Sequence, residues 1–573
     1  MSNAMSSGEW SVVEVTAKLR LAAYLPLSAP LHQPPEVGEH LSIKTSGFWC
    51  SPTLVLISRK PNKKMRWWSI AASCSLLLSN TSAAQSNLTK AQSSQHMLQG
   101  DFQVPQVFEN TNLVRNTNLE KGYVRETVNV VVTNVGKTAE ADYYLPFEHA
   151  VMGRVGGLEV RDKKMVEKGL FAISTAASAS IAGLDGAILE PMQYYVLHFP
   201  EPLQPKASIT LAISYHILGA LQPLPATIEQ TEKQYLTYSF SAYFPSAYPT
   251  IKQKTKVRFP SADIPEYTTT TGLTSGADPE LQGKEITYGP YDTKKVPAGT
   301  TSLVSVRYEF TNPVLTCTLL ERDIEVSHWG GNIATEERYW LGNSGATLKN
   351  HFSRVAWQTQ NYYAQSATSA LKELKVPLKA GSVDPYFTDD IGNVSTSRYR
   401  PSTVQGRDAM LELKPRYPVF GGWKYSFRIG WNNALSTFLR KVRVGGGETY
   451  ALGVPFLEGP KMPEGIQYEH FVLRIILPEG AKNIRWETVG GTGLPILSSE
   501  LSLHKTFMDT VGRTELKLSA MNVVDEARDA KILVLYDYPF FAAFRKPLTI
   551  VGGVLGLFVT IYGLGLIDTR IGK

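Results

Sequence analysis

Cysteine is scarce: the chain holds three in 573 residues, Cys50, Cys74 and Cys317. That is too few for the disulfide frameworks of small secreted domains or for a Cys-rich zinc site. The motifs of the commonest hydrolases and nucleotide binders are missing too. There is no HExxH of a zinc protease, no GxSxG nucleophile elbow and no GxxxxGK[ST] phosphate loop. The histidines are scattered without metal-ligand spacing. Gly490-Gly491-Thr492-Gly493 lacks the Lys-Ser/Thr that would make it a phosphate cradle, and it reads as a turn, as does Gly445-Gly446-Gly447. Asp389-Asp390 reads as a solvated pair, and His328 as a strand histidine beside a packing Trp329. No catalytic, cofactor-binding or metal-binding residue is assigned. No long block of Lys or Arg occurs, so a nucleic-acid partner is excluded on electrostatic grounds.

Long apolar runs are equally few, and the clearest is Leu548–Ile567, twenty residues without a charge. At about 1.5 Å per residue it spans roughly 30 Å, the hydrocarbon thickness of a bilayer. Twelve of its residues are Leu, Ile, Val or Phe, worth at most roughly −4 to −7 kcal/mol of insertion free energy. Arg545 and Lys546 bound it on one side, Asp568 and Arg570 on the other. A shorter run, Ile70–Leu78, follows Lys63, Lys64 and Arg66 and precedes Ser82-Ala83-Ala84. That is the pattern of a secretory signal peptide over 65–84, with Met65 as its start and Gln85 as the first processed residue. Residues 1–64 are then expected to be a non-native upstream extension. Residues 85–573 carry 50 Lys/Arg against 47 Asp/Glu, so the net charge falls from +7 to +3. A cleaved signal followed by a stop-transfer helix places the bulk on the lumenal side, with residues 568–573 as a short cytosolic tail.

Between these segments, period-two alternation dominates. Val304, Val306, Tyr308 and Phe310 share one face of a strand, with Ser305, Arg307 and Glu309 on the other. Ile324 and Val326 alternate in the same way within Asp323–Trp329. Val124–Val135, Ser208–Ile217, Tyr235–Ser241, Lys252–Phe259, Phe471–Leu477 and Ile532–Tyr538 are rich in β-branched and aromatic residues. Ala364, Ala367, Leu371 and Leu374 fall at helical spacing, with Pro377 ending the run. The expected fold class is mainly β: two antiparallel β-rich lumenal domains, 85–312 and 313–547, with few helices and one C-terminal transmembrane helix. No sequence repeat relates the halves.

Two N-x-[ST] sequons follow the signal, at Asn87 and Asn393, and a lumenal chain offers both for glycosylation. Gly552 and Gly556, four apart in the apolar run, would let another helix pack closely.

Several strings are unusual enough to carry a resemblance. They are IEQTEKQYLTYSFSAYFPSAYPT at Ile228–Thr250, IEVSHWGGNIATEE at Ile324–Glu337, DDIGNVSTS at Asp389–Ser397, PRYPVFGGWK at Pro415–Lys424, ILPEGAKNI at Ile476–Ile484 and DTVGR at Asp509–Arg513. From about residue 105 to the apolar helix, the chain resembles ribophorin I, a subunit of the endoplasmic-reticulum oligosaccharyltransferase. The short tail is of the fungal kind, and Gly330-Gly331 carries one glycine more than the family string. The resemblance implies a single-pass membrane protein without an active site of its own. Its complex moves a preassembled glycan from dolichyl diphosphate to Asn of N-x-Ser/Thr. The implied partners are the catalytic and accessory subunits, nascent polypeptide and membrane lipid, with no cofactor. It also implies that Asn393 is a glycosylation site. The exposed aromatics expected at Tyr243–Tyr248 would hold substrate polypeptide, and Leu548–Ile567 would dock partner helices. The competing classes are a membrane-anchored glycan- or peptide-binding receptor and a lumenal glycosidase, which needs only two carboxylates.

Overall fold

The computed structural model describes residues 96–98 and 102–567, apart from 179–192, 271–277, 294–297, 364–366, 405, 445–446, 491–493, 495 and 507–508. The upstream extension, the signal segment, Asn87 and the tail 568–573 lie outside these residues.

The long strands form where the period-two pattern predicts them. Ser208–Ile217 and Tyr235–Ser241 match the expected limits, and Val124–Asn134, Thr250–Arg258, Ile466–Ile476 and Lys531–Asp537 start or stop a few residues away. They gather into a seven-stranded and an eight-stranded sheet, each backed by smaller ones.

The two large sheets follow the same plan. In the first, the hairpin Phe108–Asn118/Val124–Asn134 opens the sheet. Its leading strand pairs in parallel with Thr250–Arg258, which pairs in turn with Glu285–Asp292 and then Glu280–Gln282. Its returning strand pairs with Ser208–Ile217 and then Val155–Asp162. In the second, the hairpin Leu315–Ser327/Asn332–Asn343 takes that role. Its leading strand pairs in parallel with Ile466–Ile476, followed by Arg513–Val524 and Ile496–His504. Its returning strand pairs with Lys424–Ala434 and then Val383–Asp389.

The smaller sheets repeat as well. Glu266–Tyr267, Leu303–Glu309, Tyr235–Ser241 and Gln222–Pro223 lie in the order that Lys482–Val489, Lys531–Asp537, Gly447–Pro455 and Leu439–Val444 adopt in the second half. Glu140–Phe147, Gln193–Leu203 and Ala172–Ser178 correspond to Leu374–Leu378, Ala409–Leu413 and Ser397–Arg400. Chain order and pairing sense agree throughout, so one β module is used twice. Leu303–Glu309 and Lys531–Asp537 even alternate buried and half-buried residues identically, each with a fully buried tyrosine at its sixth position, Tyr308 and Tyr536.

Each module closes on its own apolar core, one drawn from Phe108 to Val314 and the other from Leu315 to Tyr536. Burying each large side chain contributes about 1.5–3 kcal/mol. Each core also encloses one arginine at the eighth residue of its leading strand, matched by a glutamate on the returning strand. Arg115 forks onto Glu126, donates to the Ser241 carbonyl at 2.9 Å and lies 5.5 Å over the Phe240 ring. Arg322 bonds both Glu337 and Glu458.

Two expectations fail at Ala364–Leu374 and at Tyr243–Tyr248. Ala364 lies outside the described residues, and the spacing of Ala367, Leu371 and Leu374 does not make a helix. Leu374–Leu378 is a strand with Leu374, Val376 and Leu378 buried, and Pro377 is accommodated because this strand is at a sheet edge. The helix of that region is α2 (Arg354–Tyr363), which follows the single turn α1 (His149–Met152) of the first module. The aromatic loop Tyr243–Tyr248 is not exposed: Tyr243, Phe244 and Tyr248 belong to the first core.

Candidate functional site

The second module has two ends, and each is built for a different kind of contact. Its head, formed where Leu315–Ser327 and Ile466–Ile476 begin and Arg513–Val524 stops, receives the first module. The contact is mostly polar, with a small apolar cluster of Tyr123, Leu218 and Val524 inside it. Gln467 donates to the Gly122 carbonyl at 2.8 Å and accepts from the Gly219 amide at 2.7 Å. Asp525 takes the Tyr123 hydroxyl at 2.6 Å and Lys121 at 2.8 Å. Asn522 donates to the carbonyls of Gly153 and Val155 at 2.9 and 3.0 Å. Gln234 links Phe310 to the amide of Ala346 at 2.9 and 2.8 Å. His216 meets Glu526 at 3.1 Å. Burial alone would raise the Glu526 carboxyl, but His216, Arg125 and Lys121 hold it below its usual range. At this seam Gly156 passes so close to the Asn522 carbonyl that a side chain could not fit.

The foot is the opposite end, where the chain runs toward its apolar helix. Short helix α3 (Phe540–Ala543) leads into α4 (Arg545–Gly565), and no residue of α4 is buried. The strings PEGAK and DTVGR meet here. Glu479 accepts from the Thr510 and Val511 amides at 3.0 and 2.6 Å. Asp509 accepts from the Thr506 amide and hydroxyl at 2.9 and 2.7 Å, and from Arg513 at 3.1 Å. It also pairs with Lys546, in the first turn of α4, at 3.2 Å. Burial would raise the Asp509 carboxyl, but the Thr506 bonds, Lys546 and Arg513 together hold it well below the ordinary carboxylate range. Gly480 lets α3 close on the sheet: a Cβ there would stand 2.8 Å from that of Ala542.

His328 lies in the turn after its strand, not on it, and Trp329 does not pack: it is 72% exposed. The imidazole instead meets the Tyr536 hydroxyl at 2.7 Å and the ring of Tyr538 at 4.5 Å between centroids. Burial lowers its pKa. These contacts make it a packing residue of the foot.

Asn393 is exposed in the short strand Gly392–Asn393, between buried Val394 and the Asp389 turn that Arg416 clamps. In α4, nothing lies within 4 Å of a Cβ built on Gly552 or Gly556, and Thr560 bonds the Gly556 carbonyl at 2.8 Å. Among the described residues no three His, Cys, Asp or Glu side chains converge as a metal site requires. Sequence reasoning missed Gln467, Asn522 and Asp509. Only the strings around Glu479 and Asp509 flagged this region, and strings do not say what they touch.

Among the described residues, two like β modules followed by one helix long and apolar enough to cross a membrane define the class of protein. The Ribophorin I family matches residues 108–565, and the chain belongs to that family. It is 30% identical over 443 residues to dolichyl-diphosphooligosaccharide–protein glycosyltransferase subunit 1 of Schizosaccharomyces pombe, covering 77% of this chain and 91% of that one. To subunit 1 of Caenorhabditis elegans it is 32% identical over 413 residues, covering 69% and 66%. To subunit 1B of Arabidopsis thaliana it is 29% identical over 477 residues, covering 82% and 95%. Among solved structures, leukotriene A4 hydrolase of Saccharomyces cerevisiae aligns with 39% of this chain and 29% of its own, at 9% identity. Its TM-score of 0.23 is too low to carry an argument.

Proposed function

We propose that this chain is a non-catalytic subunit of oligosaccharyltransferase, the complex that transfers a preassembled glycan from dolichyl diphosphate to Asn of N-x-Ser/Thr during protein N-glycosylation. The observation that carries the reading is the match to subunit 1 of that glycosyltransferase across 91% of the relative's length. In this reading the two modules are lumenal domains that divide near Asn312-Pro313, α4 crosses the endoplasmic-reticulum membrane, and residues 568–573 face the cytosol. The partners are the catalytic and accessory subunits, nascent polypeptide and membrane lipid.

The chain's work is assembly and the holding of polypeptide near the catalytic subunit. The bare Gly552/Gly556 face of α4 supports the first role, since small residues let helices approach closely. The Tyr243–Tyr248 loop, being core, lends nothing to the second. Support for it comes from a groove of about 470 Å³ beside the edge strand Val155–Asp162, lined by Leu158, Phe171, Ile173, Leu494 and Met521. A groove lined by apolar side chains suits the apolar side chains of a bound peptide. Extraction of the full chain in mild detergent tests the proposal. It should migrate in a large assembly that contains a multi-pass subunit and has transferase activity. Migration as a single species would favour a free receptor, and glycan hydrolysis by the purified chain alone would favour a glycosidase.

A further inference from the structure

The duplication shows what the foot of a module is for. In the first module the foot comprises the hairpin tip 119–123 and the exit of Leu303–Glu309. Both are covered by the second module: Gly122 bonds Glu464 and Gln467, Tyr123 bonds Asp525, and Phe310 is tied through Gln234 to Ala346. In the second module the same two features are the tip 328–331 and the exit of Lys531–Asp537. Among the described residues no other module covers them; within its own module the tip is held by the Leu435 amide on the Gly331 carbonyl at 2.9 Å and by His328 packing on Tyr450, Tyr536 and Tyr538. Trp329 is 72% exposed at the tip, and Phe540 and Phe541 are 73% and 81% exposed just beyond the exit. Leu503, near the end of the strand Ile496–His504, and Val511, just before the strand Arg513–Val524, stand exposed nearby.

What lies next along the chain is α4. Its first turn is fixed to this end by Lys546 on Asp509, and the short helix before it by Ala542 against Gly480. His328, adjacent to Trp329, packs on Tyr538, two residues before Phe540. The tip and α3 are therefore held together at the base of the helix. The chemistry of the patch fits a bilayer surface. Aromatic and apolar side chains lie at its centre, and Arg443, Lys482 and Lys505 are exposed around it. The acidic groups nearby are occupied within the chain: Asp509 and Glu479 as above, and Asp537 by Thr449 and Asn483, both at 2.8 Å. Trp settles at the headgroup level, Phe buries at the headgroup–acyl boundary, and cations meet lipid phosphates there.

We infer that the foot of the second module is a membrane seat: Trp329, Phe540 and Phe541 enter the headgroup layer of the bilayer that α4 crosses. The first module is then stacked on the second, and the second on lipid, through the same end of the same fold. The inference rests on α4 spanning the bilayer.

The test places the full chain in phosphatidylcholine nanodiscs, with or without acyl chains brominated near the headgroup, which quench tryptophan at that depth. Trp340 is the internal control. It is 39% exposed on the strand that starts at the tip, eight residues up from Asn332, roughly 26 Å away along an extended strand. Brominated lipid should quench most of the fluorescence that Trp329→Phe removes and leave intact what Trp340→Phe removes. Equal quenching of the two, or none at Trp329, overturns the seat while leaving the spanning helix in place. If Trp329 is unquenched by lipid yet shielded from a soluble quencher in the assembled complex, the face belongs to a protein partner and the seat is wrong. A chain that never enters the nanodisc overturns the spanning helix and the seat together.

Discussion

The two modules share a strand plan but treat charge differently inside. In the first, all three kinds of guanidinium nitrogen on Arg115 are bonded, and the single carboxylate of Glu126 also takes the hydroxyls of Tyr215 and Tyr238. One cation thus meets one anion, fully hydrogen-bonded. In the second, Arg322 faces two carboxylates and its Nε has no partner. Burial pushes the Glu337 carboxyl up, with Arg322 and the Tyr339 hydroxyl opposing. The fold therefore prescribes a buried arginine at this place in its leading strand, while the completion of its hydrogen bonds is left to each copy. The same holds at the feet, where one copy is satisfied by polar groups of its neighbour and the other presents apolar groups outward.

The largest effect should come from deleting the first anion. Glu126→Ala leaves Arg115 buried with only the Ser241 carbonyl, and should cost about 3–5 kcal/mol in denaturant unfolding of the full chain. Glu337→Ala leaves Arg322 with Glu458 and should cost clearly less. Equal losses would break the comparison between the two sites. Next comes the seam: Gly156→Val drives a side chain into the Asn522 carbonyl and should cost about 3 kcal/mol. Limited proteolysis should then separate the modules, which an unchanged digestion pattern would contradict.

A smaller, pH-dependent effect belongs to the foot. Asp509 is held below its ordinary value of 3.8, so its stabilisation is full at neutral pH and is lost only as pH falls below that value. Asp509→Asn should lower stability at pH 7 by about 1–3 kcal/mol and flatten the acid limb. A D509N chain with an acid limb as steep as wild type would contradict this. Smallest of all, Asn393→Gln should remove one glycan in mass spectrometry and change stability by less than about 0.5 kcal/mol. An unchanged mass would show that the exposed turn is not used.

Much of the β class was legible because alternation is a local signal: Val304, Val306 and Tyr308 announce a buried face whatever they pair with. The duplication was not. A sheet asks only for alternation at its strands, so Leu303–Glu309 and Lys531–Asp537 can fold alike with few residues in common. The false helix at Ala364–Leu374 arose because Leu371 and Leu374 satisfy helical spacing, whereas the strand that forms is chosen by Leu411 and Leu413 across the sheet. Tyr243–Tyr248 looked like a sticky loop because composition does not report burial. The string SHW stands out in the sequence, but nothing there says that it caps the end of a strand beside the apolar helix.

Hydrogen exchange of the full chain in a bilayer tests the comparison most directly. The account predicts that both hairpin tips, 119–123 and 328–331, exchange slowly, the first under the second module and the second under lipid. Slow exchange at 119–123 beside fast, solvent-like exchange at 328–331 would contradict it.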